Sequence, residues 1–154
     1  MKPPRRHRGF TLIELLIVVV LIAVGSAVAS LALRDPAATR LEHEAARLAA
    51  LLESARAEAR ASGLAVRWEP RAVQADAEGF QFIGLPASNA LPSRWLGRGV
   101  VAEVVGARAL VLGPEPIIPA QRIVLRLDAQ RLALATDGLG PFVVVDEAIA
   151  PAPP

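Results

Sequence analysis

Hydrophobic and polar positions divide the chain into three textures. From Leu15 to Leu33, 19 residues run without a charge, dominated by Leu, Ile, Val and Ala. A run of that length predicts a helix able to cross a hydrocarbon core; counted from Phe10, it would extend roughly 36 Å. Asp35-Pro36 interrupts the run, because proline disfavours helical geometry in the residue before it. Beyond it, Leu41, Ala45, Leu48, Leu52, Ala55 and Ala59 recur at spacings of 4, 3, 4, 3 and 4. That stripe predicts an amphipathic helix from about Ala38 to Ser62, stopped by Gly63. Its alanines would let a sheet approach closely. Arg40 with Glu44, Glu44 with Arg47, and Glu53 with Arg56 are expected to pair along the exposed faces.

After Gly63 the texture becomes short apolar runs divided by turn residues. Strands are expected at Leu64–Trp68, Gly79–Leu85, Gly99–Val105, Ala109–Leu112, Arg122–Leu127, Leu132–Thr136 and Phe142–Asp146. Turns are expected at Asp76–Gly79, at Asp128-Ala129-Gln130 and at Asp137-Gly138-Leu139-Gly140. Two longer irregular stretches, Pro86–Ser93 and Gly113–Pro119, read as surface loops. The closing Ala148–Pro154, rich in alanine and proline, reads as an extended, disordered tail. The pattern as a whole predicts an α+β fold: one long N-terminal helix, half apolar and half amphipathic, packed on an antiparallel β domain.

Charge and composition narrow the function. The 154-residue chain carries a formal +2, but Lys2, Arg5, Arg6 and Arg8 supply four of its 17 basic residues. Without residues 1–9 the balance is 13 basic against 15 acidic. The basic character therefore belongs to the leader, where it would keep the N-terminus cytoplasmic. A net acidic domain argues against nucleic acid as a partner. No cysteine is present, which excludes disulfides, thiol nucleophiles and thiolate metal sites. Past the leader one histidine remains, His43, read as a solvated helix residue. With no histidine cluster, calcium loop, triad or phosphate-cradling glycine loop in the sequence, neither catalysis, a metal nor a cofactor is expected.

One residue does not suit its surroundings. Glu14 stands at the start of the apolar run, although a carboxylate in a membrane segment costs about 2.5–3.5 kcal/mol at the bilayer centre and less near its edge. A buried charge of this kind calls for a partner. Gly9-Phe10-Thr11-Leu12-Ile13-Glu14-Leu15, behind the basic leader MKPPRRHRG, resembles the processing motif of type IV pilins and type II secretion pseudopilins. The resemblance implies cleavage by a prepilin peptidase between Gly9 and Phe10, followed by N-methylation of Phe10. Cleavage would create a cationic amine four residues from Glu14. In a stack of subunits, the amine of an incoming chain could pair with Glu14 of its neighbour, compensating both charges and fixing axial register. Gly9, lacking a side chain, would let the peptidase approach the scissile bond.

The same resemblance implies five segments: a cleaved leader (1–9), a transmembrane and assembly helix (10–33), an amphipathic helix (34–62), a β domain (63–147) and the tail (148–154). Within the family the chain is most similar to the H-type minor pseudopilins of type II secretion, the GspH/FimT group. Length, the helix beginning near Leu41, and the pattern from Ile123–Leu127 through Asp137–Phe142 carry that likeness. A structural subunit of the secretion pseudopilus is thus expected, working with other pseudopilins. It would sit in the inner membrane with a periplasmic domain, then join the periplasmic pseudopilus. Two alternatives stand beside it. One is a FimT-like minor pilin of a type IV pilus, concerned with DNA uptake, with Arg94, Trp95 and Arg98 as a small basic-aromatic contact spot. The other is a generic membrane-anchored domain, in which a cut after Ala29 would mark Ala27-Val28-Ala29 as a signal-peptidase site.

Overall fold

The structure is a computed structural model that describes residues 11–32, 35–71 and 79–145, with the side chains of the first helix described as far as Ser26. The chain forms two compact units, Met1–Asp35 and Pro36–Pro154. The leader, the 76–79 turn apart from Gly79, and the tail lie outside the described residues.

Among its described residues the first unit forms one helix, α1 (Leu12–Ala32). Every side chain described on it is exposed, from Leu12 at 82% to Val18 at 44%. A helix apolar on all sides has no solvent face, so its stable surroundings are lipid or the interior of an assembly. Among the described residues no helix is long and apolar enough to cross a membrane. The run through Ser26 falls short of the ~20 residues a bilayer asks for, while the whole backbone helix reaches about 31 Å.

The second unit opens with α2 (Pro36–Ser62). Pro36 occupies the first helical position, where its missing N–H would have had no intrahelical acceptor. Gly63 closes the helix with φ +67°, the left-handed geometry that glycine adopts without a Cβ penalty. Leu41, Ala45, Leu48, Leu52, Ala55 and Ala59 are all buried, as their spacing predicts. Truncating one of these leucines to alanine would cost roughly 2–5 kcal/mol.

Seven strands follow among the described residues: β1 (Arg67–Pro70), β2 (Phe80–Ile83), β3 (Val101–Val104), β4 (Leu110–Val111), β5 (Gln121–Leu127), β6 (Gln130–Thr136) and β7 (Val143–Val145). They form two antiparallel sheets, ordered β2-β1-β4 and β3-β5-β6-β7. The inner face of the larger sheet presents Ile123, Leu125, Leu127 and Leu134 to the core that also holds the α2 stripe. Trp68, Phe80, Leu110 and Leu112 extend that core under the smaller sheet. Asp128, at φ 53°, and Ala129 join β5 to β6 in a two-residue hairpin, matching the expected turn and its need for a left-handed position.

Two expectations need correction. β1 starts at Arg67 rather than Leu64, because Leu64 and Ala65 are exposed and ladder pairing sets in only later. Val66 accepts the Leu112 N–H at 2.9 Å just ahead of it. Pro70 is tolerated because β4 pairs only with Arg67 and Trp68, so its missing N–H removes no bond on that side. The α2 ion pairs are also not all on exposed faces. Glu44–Arg47 forms at 3.8 Å and Glu53–Arg56 at 3.1 Å, but Glu44 and Arg56 are buried.

Arg56 is buried because the 137–142 segment lies over it. Its guanidinium donates to the carbonyls of Gly140 (2.8 Å) and Gly138 (3.3 Å) and to Glu53 Oε1, which also accepts the Phe142 N–H at 3.2 Å. Thr136 Oγ1 donates to Gly140 O and accepts from Gly138 N–H. Gly138 has φ +94°, and a Cβ there would overlap the Ile118 carbonyl oxygen. Asp137 Oδ1 accepts the N–H groups of Gly140 (2.8 Å) and Leu139 (2.9 Å). Those two bonds, Gly140 first, hold its carboxyl below the ordinary carboxylate range, with help from its own N–H and the Arg56 charge.

A pKa depressed on folding stabilises above the unfolded value, near 3.9, and the contribution fades as pH falls through the folded one. Thermal melts of the full chain in detergent from pH 7 to pH 2 should therefore show a drop in Tm below about pH 4. Asp137→Asn should lower Tm at pH 7 and flatten that drop. An equally steep acid limb in the variant would assign it to other carboxylates.

Candidate functional site

Thr11 starts α1. Its carbonyl accepts the Glu14 N–H at 3.1 Å and its Oγ1 accepts the same N–H at 3.3 Å. Thr11-Leu12-Ile13-Glu14 thus supplies the forward half of a capping box, with Glu14 three positions past the cap. A carboxylate there also faces the positive end of the helix dipole. The Thr-x-x-Glu signal is plain in the sequence, and reading Glu14 only as a membrane anomaly missed it. The helix terminus lowers the cost of the charge without supplying a counter-ion. Among the described residues the Glu14 carboxylate makes neither an ion pair nor a hydrogen bond, and it is exposed. Gly9 and Phe10, the expected cleavage and methylation residues, lie outside the described residues.

The basic-aromatic spot does not present its aromatic ring to solvent. Arg94 and Arg98 are exposed, but Trp95 is 9% exposed and sits edge-on against Phe80, with ring centroids 4.7 Å apart. Phe80 in turn packs on Trp68 and Phe82. Trp95 is therefore an anchor that fixes its loop to the core, and its ring is closed to a stacking base. The loop is tied to α2 as well: Gly97 N–H donates to Glu44 Oε1 at 2.7 Å, and Arg47 Nη1 donates to Arg94 O at 2.9 Å. His43 is exposed on α2. Among the described residues no group of three or more His, Cys, Asp or Glu could hold a metal ion.

Residues 4–30 match the family model for the prokaryotic N-terminal methylation motif. In three dimensions the chain resembles the type IV minor pilin FimU of Pseudomonas aeruginosa in two crystal forms. One superimposes with a TM-score of 0.54 at 17% identity, covering 73% of this chain and 93% of FimU. The other gives 0.51 at 18% identity, covering 72% and 97%. The fold is pilin-like. No curated protein matches the chain in sequence. The motif thus covers most of α1 and the residues just before it, and the α+β arrangement is pilin-like.

Trp95→Ala should behave as a core truncation, destabilising by roughly 3–5 kcal/mol. Chemical denaturation of the full chain in micelles reads this directly. A stability loss below about 1 kcal/mol would return Trp95 to the surface.

Proposed function

We propose that the chain is a minor, non-enzymatic subunit of a pilin-like filament, made as a precursor in the inner membrane. A prepilin peptidase removes residues 1–9 and methylates Phe10, leaving α1 as the anchor and the second unit in the periplasm. Other pilin-like subunits then take up α1, exchanging its lipid contacts for helix contacts. The observation that carries this reading is Gly9–Leu15 at the head of a helix with no solvent face, attached to a pilin-like fold. In this reading Glu14 takes the methylated amine of an adjacent subunit as its counter-ion. A burial cost for both charges becomes a register-setting contact.

At the finer level we favour a GspH-like minor pseudopilin of type II secretion. Support comes from the 123–142 strand-turn pattern, Ile123–Leu127 through Asp137–Phe142. The type IV pilus is the second reading, supported by the likeness to FimU. Loss of protein export on deletion of the gene would uphold the first, and loss of pili with intact export the second.

Glu14→Gln separates the two roles of this residue. Glutamine keeps the capping-box geometry and removes the charge. Processing should proceed normally while incorporation into filaments, measured in sheared or cross-linked filament fractions, falls at least about tenfold. Incorporation at the wild-type level would show that the charge of Glu14 does not set register.

A further inference from the structure

Between α2 and the 94–100 loop the second unit has a groove of about 320 Å³, lined by Arg40, His43, Leu96, Gly97, Arg98, Val100 and Leu127 above the buried Glu44. Its walls are aliphatic. Leu96 is 71% exposed although its neighbour Trp95 is sealed in the core, so the loop holds a large apolar side chain outward on a rigid base. The mouth is cationic. Arg40 and Arg98 are exposed and make no ion pair among the described residues. Glu44 is the one carboxylate among the residues that line the groove, and it is directed inward. It is 3% exposed, with Oε1 on Gly97 N–H and Oε2 facing Arg47 at 3.8 Å.

We infer that this groove docks an acidic-apolar segment of a partner protein, its aliphatic side chains against Leu96, Val100 and Leu127 and its carboxylates on Arg40 and Arg98. The volume suits a few side chains, and guanidinium groups pair carboxylates in forked geometry. A nucleic acid fits less well. Binding a single strand relies on exposed aromatic faces along a charged track, and here the nearby indole is buried while the apolar surface is aliphatic. This surface belongs to the second unit alone, so it stands independently of whether Phe10 is processed or Glu14 is paired.

The test is fluorescence anisotropy with the full chain in nonionic micelles. Three labelled probes are compared: a short peptide alternating Leu with Asp, the same peptide with Ser for every Asp, and a single-stranded oligonucleotide. The Leu/Asp peptide should bind at least about tenfold tighter than either other probe. Arg40→Glu with Arg98→Glu should weaken it at least about tenfold, and Leu96→Ser about threefold. Arg40→Lys with Arg98→Lys should retain most of the affinity. All of these side chains are exposed, so an unchanged Tm will show that the fold is intact. The inference is overturned if the double charge reversal leaves affinity within about twofold. It is also overturned if the oligonucleotide binds as tightly as the Leu/Asp peptide with the same dependence on both arginines.

Discussion

The buried seam of α2 is the constraint on which the second unit depends. Leu41, Ala45, Leu48, Leu52, Ala55 and Ala59 present a narrow apolar strip to β5, β6 and β7. Alanine at three of the six positions lets the helix approach the sheet closely. Where the buried face widens beyond the strip, charge enters, and each charged side chain ties a neighbouring segment to the helix. Arg56 satisfies carbonyls of the 138–140 turn, and Glu44 takes the Gly97 N–H from the opposite loop. The helix therefore sets the position of both segments that fold back on it. One covers its C-terminal half, and the other forms the groove beside its N-terminal half.

The two units solve opposite problems. In the second, apolar side chains find one another within the same chain, and polar groups close the gaps. In the first, the side chains described on α1, as far as Ser26, are all exposed, and nothing among the described residues of its own unit covers them. Its burial must come from outside, first from lipid and then, under our proposal, from the helices of neighbouring subunits. Glu14 belongs to that second problem. The helix terminus makes the carboxylate tolerable, and under our proposal its counter-charge is an amine that does not exist until the leader is cut.

Much of the fold was legible in the sequence because its signals are periodic. The 4-3-4 stripe located α2, and all seven expected strands are present, since each is a short apolar run bounded by turn residues. The Asp137–Gly140 turn was readable from residue types, whereas its docking on Arg56 was not, because that contact spans more than eighty positions. Long-range packing also decided the fate of Trp95. Between Arg94 and Arg98 it reads locally as a surface aromatic, and its packing against Phe80 of β2 is what turns it inward. The start of β1 moved for a similar reason: strand length there is set by the pairing partner. Glu14 shows the reverse. Its membrane context was visible, but Thr11 three positions earlier carried an equally local message about helix capping.

Glu14 has its proposed partner only if the chain is cut before Phe10. Intact-mass and N-terminal peptide mass spectrometry of the chain, expressed with an active prepilin peptidase, measures that step most directly. The expected product begins at Phe10 with one added methyl group on its amine. A mature chain that keeps Met1, or one that begins after Ala29, would contradict it, for no amine would then stand four residues from the acid.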